Sequence, residues 1–268
     1  MSDNQLIRSS SIMAIGTITS RFTGLIRNLL LVALLGTALL GDTYNVANTM
    51  PNILYNLLIG GALTAVFIPQ IVKSFRDSDG GAAFISRLFT ATLTFLFVLT
   101  LLAIVFTPQI VNIYAPEFAK RPEFDITVSL MRYCLPQIFF LGLFALLGQI
   151  ANAKGRFGPM MWAPVINNLI VIALFSWFLI NKDQLSISTI TESDLLWLGF
   201  GTTAGYLAQA LILFPLLLRS GVRLKLKFDW QNSQILNSFK LASWSFLYAI
   251  ISQLSYLVTV NLATSAAV

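Results

Sequence analysis

The sequence predicts an all-α integral membrane protein, a polytopic helical bundle of about seven transmembrane helices. Two observations carry that prediction. Hydrophobic residues make up 56% of the 268 and charged residues only 10%, well below the ~25% charged share of an ordinary soluble domain. The apolar residues also fall in long blocks, several of them reaching the ~20 residues that cross a hydrocarbon core. The alternating ~10-residue strands of an outer-membrane barrel do not occur in the pattern.

The same totals narrow the chemistry. The chain has no histidine and one cysteine, Cys134. His-based triads and His–Cys metal sites therefore have no material, and no metal or other cofactor is expected. Cys134 sits in the apolar run RYCLPQIFF and is expected to pack as a small hydrophobe. The net charge of +6 is not gathered into an aromatic-laced groove. The basic residues lie between hydrophobic blocks, which points to membrane topology and not to nucleic acid.

Seven spans are expected, at about 9–37, 43–72, 85–113, 128–152, 159–181, 194–218 and 234–264, from the length of each apolar block. The first, preceded by MSDNQLIRSS, lacks the basic start and cleavage site of a signal peptide and is expected to be retained. The connection after the second span carries Lys73, Arg76 and Arg87 against Asp77 and Asp79. The connection after the fourth carries Lys154 and Arg156, and the one after the sixth carries Arg219, Arg223, Lys225 and Lys227 against Asp229. The intervening connections lean acidic, with Glu117, Glu123 and Asp125 in one and Asp183, Glu192 and Asp194 in the other. Basic connections mark the cytoplasmic side, so the N-terminus is expected there. The last basic segment, RSGVRLKLKFDW, is expected to lie on the inner leaflet against anionic lipid. The seventh span runs into VNLATSAAV without a polar tail, as expected of part of a longer chain.

Two spans carry polar faces. In SRFTGLIRN, residues 20–28, the first span holds two arginines. At ~100° per residue, Thr17, Ser20, Arg21, Gly24, Arg27 and Asn28 fit an arc of about 120°, and Ile18, Phe22, Leu25, Ile26 and Leu29 take the rest. Gly24 lies mid-arc, where it allows close approach or a bend. In the second span Asp42, Asn45, Asn48, Thr49, Asn52, Asn56 and Gly60 share a similar arc of about 120°. Pro51 removes one helical hydrogen bond there and invites a kink. Such a helix suits the wall of a wet cavity better than lipid.

A mid-membrane arginine costs from ~3 to more than 10 kcal/mol, so Arg21 and Arg27 are not expected to face acyl chains. They can pair with Asp42 or helix-end carbonyls, or reach an interface. Alternatively they line a cavity for an anion. One carboxylate cannot neutralise two guanidiniums, and forked hydrogen bonds suit phosphate oxygens, so a diphosphate fits the second reading. Pro164 with Asn167 and Asn168 forms another Pro/Asn break, read equally as cavity lining or as helix–helix hydrogen bonding. Arg132 is expected at an interface, and Gln149 and Asn152 are expected to cap or pack.

At SRFTGLIRN and GDTYNVANTMPNILYNLLIGGALTAVFIPQ the chain resembles the MurJ (MviN) family of lipid II flippases in the MOP exporter superfamily. The matching residues are Ser20, Arg21, Gly24, Arg27, Asp42, Pro51, Asn52, Gly61, Ala62, Phe67 and Pro69. NAKGRFGPMMWAPVINN and SQLSYLVTVNLA match further. The resemblance implies two helical lobes about a central cavity. Residues 1–230 are then the N-terminal lobe of about six helices, and 231–268 the first helix of an incomplete second lobe. It also implies movement of undecaprenyl-diphosphate-linked peptidoglycan precursor, lipid II, from the inner to the outer leaflet of the bacterial inner membrane. Arg21, Arg27 and Asp42 match cavity residues of the family, the arginines as diphosphate ligands. Ser20, Asn48 and Asn52 complete the expected substrate-binding set, and Gly24, Pro51 and Pro164 are the expected helix breaks or hinges. Membrane lipids and other cell-wall synthesis proteins are the expected partners. Where some members carry a further arginine, this chain has Tyr55.

Two alternatives accompany this reading. One is a transporter of another substrate in the same superfamily, a polysaccharide-lipid or a drug. The other is a truncated piece that does not transport. A drug/cation exporter should carry more acidic than basic residues inside its helices, the reverse of this chain. An enzyme on polyprenyl phosphates should present Asp/Glu/His clusters, so no enzymatic activity is expected.

Overall fold

The computed structural model describes residues 3–37, 39–56, 68–116, 123–182, 184–222, 224–229, 247 and 251. Their helices are α1 (Asp3–Leu35), α2 (Leu39–Tyr55), α3 (Ile68–Ser74), α4 (Ala82–Val105), α5 (Thr107–Tyr114), α6 (Phe124–Cys134), α7 (Gln137–Ala153), α8 (Gly158–Asn181), α9 (Glu192–Leu211) and α10 (Leu213–Arg219). Among the described residues five stretches are long and apolar enough to cross a membrane: Ser10–Leu35, Ala82–Val105, Phe124–Ala153, Gly158–Asn181 and Glu192–Arg219. They correspond to the expected first, third, fourth, fifth and sixth spans. The second span begins at Leu39 with α2. Residues 57–67 and, apart from 247 and 251, the seventh span at 234–264 lie outside the described residues.

Three expected spans are interrupted, each beside a proline. Pro108 has no N–H to offer the Ile104 carbonyl, and the Thr107 hydroxyl donates to that carbonyl instead, at 2.7 Å, where α4 gives way to α5. Pro136 separates α6 from α7, and across the interface the Thr203 hydroxyl of α9 donates to the Tyr133 carbonyl at 2.9 Å. Pro215 follows the break at Ile212 between α9 and α10. By contrast α1 runs unbroken through Gly24, α2 through Pro51 and α8 through Pro164.

Two apolar clusters hold the bundle. One joins Leu88 and Leu96 of α4 to Leu146 and Ile150 of α7 and Leu213 and Leu217 of α10. The other joins Leu34 of α1 and Tyr44 of α2 to Leu130 of α6, Phe175 and Phe178 of α8 and Leu198 of α9. Small residues let the helices close. A Cβ on Gly199 of α9 would collide with the Tyr133 Cβ of α6. Outside these clusters Phe22, Leu25 and Leu29 of α1, Phe97, Leu101 and Val105 of α4, and Trp177 and Ile180 of α8 are exposed. Apolar surface so broad marks a membrane or partner interface.

After α10 the chain lies along α4 as a strap. The Lys225 N–H donates to Ser86 Oγ at 3.4 Å and the Lys227 N–H to Thr90 Oγ1 at 2.7 Å. Arg87 Nε pairs with Asp229 Oδ2 at 2.9 Å. Leu226 and Phe228 point outward. At the other end of the bundle Thr191 caps α9 reciprocally with Asp194, and Lys182 pairs with the same buried carboxylate. The Leu185 N–H donates to the Leu34 carbonyl at 2.9 Å, tying this loop to α1.

Candidate functional site

Helices α1 and α2 are joined at Gly36, whose φ of 71° is open to glycine. Beyond this turn they dock on different neighbours, α1 chiefly on α8 and α2 on α6 and α7. The seam between α1 and α8 uses small and amide side chains. Asn168 Nδ2 donates to the Ser20 carbonyl at 2.9 Å and to Thr23 Oγ1 at 3.0 Å. Trp162 packs against Gly16, where a Cβ would lie 2.9 Å from its Nε1. The Pro/Asn motif of α8 therefore serves helix–helix bonding: Asn167 Nδ2 donates in turn to Gln209 Oε1 of α9 at 2.9 Å.

The polar arc of α1 divides in two. Ser20 and Gly24, with Thr23 next to the arc, form its packed edge against α8, whereas Thr17, Arg21 and Asn28 are exposed. Arg27 is half-buried between them. Among the described residues its Nε and Nη2 reach only the neighbouring Asn28 Oδ1, at 3.4 and 3.3 Å.

On α2 the open face is a ladder. Asp42, Asn45, Thr49, Asn52 and Asn56 are all exposed, whereas Leu40, Thr43, Tyr44, Ala47, Met50 and Pro51 are buried. Asn56 Nδ2 donates to Asn52 Oδ1 one turn away. Asn48 stands at the inner edge, its Oδ1 accepting from Gln137 Nε2 of α7 at 3.1 Å. Gln137 is fully buried and also reaches Thr202 Oγ1 of α9, at 3.4 Å. These three helices thus meet in one polar knot directly after the Pro136 break.

Depth along the helices follows from the ~1.5 Å rise per residue. From the end of α1 at Leu35, Arg27 is ~12 Å in and Arg21 ~21 Å in. From the start of α2 at Leu39, Asp42 is only ~5 Å in, Asn48 ~14 Å and Asn52 ~20 Å. Counted along the helices, Arg27 and Arg21 therefore lie about as far from the turn as Asn48 and Asn52, and Asp42 lies nearer to it. Among the described residues neither arginine forms an ion pair, and neither does Asp42. The pairing of an arginine with Asp42 that the sequence allowed is not formed.

The expected residues therefore separate into groups. Arg21, Asp42 and Asn52 lie on open polar faces, and Arg27 and Asn48 lie at their inner edges. Ser20 faces α8 with its backbone carbonyl engaged. Gly61, Ala62 and Phe67 lie outside the described residues. The sequence reading missed Gln137, Thr202 and Gln209, which fix α7 and α9 beneath the site. A signal for Gln137 existed, a polar residue directly after the proline in CLPQ. Arg132 is exposed at the end of α6, Gln149 is buried, and Asn152 packs on Met160. What remains is a pair of guanidiniums on α1 without carboxylate partners among the described residues, and on α2 a row of amide and hydroxyl groups. That arrangement can receive an anion through charge and forked hydrogen bonds.

Known proteins bear on this arrangement. The family profile described as "Lipid II flippase MurJ" matches residues 31–268. The match takes in the α2 ladder and begins after Arg21 and Arg27. The probable lipid II flippase MurJ of Rickettsia prowazekii (strain Madrid E) is 34% identical over 195 residues, 71% of this chain and 38% of the relative. That of Rhizobium meliloti (strain 1021) is 27% identical over 266 residues, 97% of this chain and 48% of the relative. A solved structure titled "Lipid II flippase MurJ, inward closed conformation" superposes with a TM-score of 0.67 at 22% identity, covering 90% of this chain and 48% of its own. The chain spans about half the length of these proteins or less. Its helices cross a membrane several times, its fold is that of the solved structure, and it belongs to the MurJ family.

Proposed function

We propose that this chain is the N-terminal lobe of a lipid II flippase, with residues 1–230 forming the lobe and 231–268 opening a second one. In this reading Arg21 and Arg27 receive the diphosphate of the undecaprenyl-linked precursor. Asn48, Asn52 and the rest of the α2 ladder solvate the neighbouring polar groups. One observation carries the reading: two guanidiniums on α1 lack carboxylate partners among the described residues, and the next helix carries an open amide ladder. Left facing lipid, the charge would cost several kcal/mol. Against a cavity closed by a second lobe it becomes a binding site. Rocking of the lobes would expose that site to each side in turn, with Gly24, Pro51 and Pro164 as hinges and Asp42 as a group that couples an ion. The charge asymmetry of the connections supports a cytoplasmic N-terminus in the bacterial inner membrane.

The test is complementation of a flippase-depleted bacterium by the full-length protein, by this chain, and by the full-length Arg27→Glu variant. Growth with the full-length protein and none with Arg27→Glu, at equal membrane insertion, supports the role of Arg27. Normal growth with the variant overturns it. Rescue by this chain alone overturns the need for a second lobe.

A further inference from the structure

A cavity lies at the end of the bundle where the basic connections gather. It has a volume of about 680 Å³, and its wall includes Ile12 of α1, Arg156 and Phe157 of the α7–α8 turn, Trp162 of α8, and Leu216 and Arg219 of α10. Ile12 precedes Arg21 by ~13 Å along α1, so this groove is separate from the face described above.

The two arginines on its rim have no task in holding the helix ends. Helix α7 closes on Gly155, at φ 73°, with the Gly155 N–H donating to the Asn152 carbonyl at 2.8 Å and the Arg156 N–H to the Ala151 carbonyl at 2.9 Å. Helix α10 closes in the same way on Gly221, at φ 76°, with the Gly221 N–H donating to the Leu218 carbonyl and the Val222 N–H to the Leu217 carbonyl, both at 3.1 Å. In both turns the backbone itself satisfies the terminal carbonyls. Both arginine residues are exposed, and neither forms an ion pair with a described residue.

Two free guanidiniums above a wall of indole, phenyl and leucine have the complementarity of an anionic amphiphile. Guanidiniums grip phosphate oxygens through forked bonds. Tryptophan favours the headgroup level of a bilayer, and the cytoplasmic leaflet supplies anionic lipid beside basic segments. The volume accommodates a headgroup and the first methylenes, while the acyl chains remain in the bilayer. We propose that this groove binds an anionic phospholipid, its phosphodiester between Arg156 and Arg219 and its chain against Trp162 and Leu216. Such a lipid is a resident of the fold and not the transported cargo, so the site is independent of the transport reading.

The test is lipid titration of the purified chain in detergent, read by native mass spectrometry, with phosphatidylglycerol, phosphatidylcholine and soluble glycerol phosphate as probes. Phosphatidylglycerol should bind more tightly than phosphatidylcholine, and glycerol phosphate should not displace it. The double variant Arg156→Gln/Arg219→Gln should raise the apparent Kd about tenfold, and Arg76→Gln, which removes an exposed charge from another basic connection, by less than about twofold. Equal binding of the two lipids overturns the proposal. So does displacement by glycerol phosphate, or an equal loss from Arg76→Gln, which would mean diffuse attraction to the surface. Should the double variant fail to fold, Arg219→Gln alone should weaken phosphatidylglycerol about threefold, and an unchanged Kd would overturn the site.

Discussion

Asn168 of α8 donates one amide to Thr23 of α1 at 3.0 Å and to the Ser20 carbonyl at 2.9 Å, one turn from Arg21 and Arg27. The helix that carries the cations is thus oriented by an amide outside it. Replacing Asn168 with alanine should destabilise the bundle by about 0.6–1.7 kcal/mol, the range of interhelical hydrogen bonds in membrane proteins. Thr23 keeps its own bonds to the Thr19 and Ser20 carbonyls, so nothing buried is left unpaired on α1. Unfolding of the detergent-solubilised protein measures the loss, and a stability equal to wild type would show that the amide does not hold α1.

Gly199→Ala and Gly24→Ala should part company. At Gly199 the added methyl collides with Tyr133 of α6, whereas at Gly24 it lies 3.5 Å from Asn168 Nδ2, an ordinary contact. Overpacking at the first should cost ~1–3 kcal/mol. The second should be neutral or gain up to ~1 kcal/mol of helix propensity. Thermal melts of the two variants side by side decide this, and similar losses at both positions would refute the packing account.

Asp79 sets an acid limit at the start of α4. The Ala83 and Gly81 N–H groups donate to its two carboxylate oxygens at 2.7 and 2.9 Å, and these bonds hold its carboxyl below the usual carboxylate range. A depressed folded value means that its stabilisation is present above the unfolded value of ~3.9 and is lost as pH falls through the folded one. Hydrogen-exchange protection of the Gly81 and Ala83 amides should therefore fall below about pH 4. In Asp79→Ala protection there should be low throughout, with no such step.

Arg27→Lys keeps the charge and loses the fork. In the full-length protein it should slow translocation of fluorescent lipid II in vesicles by about tenfold, equivalent to ~1.4 kcal/mol, without abolishing it. A rate indistinguishable from wild type would reduce Arg27 to a point charge.

The α2 ladder was legible before any coordinates because Asp42, Asn45, Thr49, Asn52 and Asn56 repeat at helical spacing and leave Tyr44, Ala47 and Met50 to the core. The α1 arc was legible only as a whole. A helical wheel separates polar from apolar, but it cannot tell Ser20 and Gly24, which are small because α8 approaches, from Arg21 and Asn28, which are polar because their side is open. The two readings of Asn167 and Asn168 are distinguished by partners on α9 and α1, each more than forty residues away in sequence. The break after Cys134 was hidden by the length of its apolar run, although Pro136 marks it. Hydropathy responds to Leu and Phe and not to the one N–H that proline lacks.

The strap on α4 shortens a leash. In sequence the basic stretch from Arg219 to Trp230 is expected to lie on the inner leaflet against anionic lipid. Yet the Lys225 and Lys227 amides are held by Ser86 and Thr90, and Asp229 by Arg87. Most of that length is therefore tied to α4. A second lobe joined here, as proposed above, would be linked through the anchorage of Asp229 on the flank of α4.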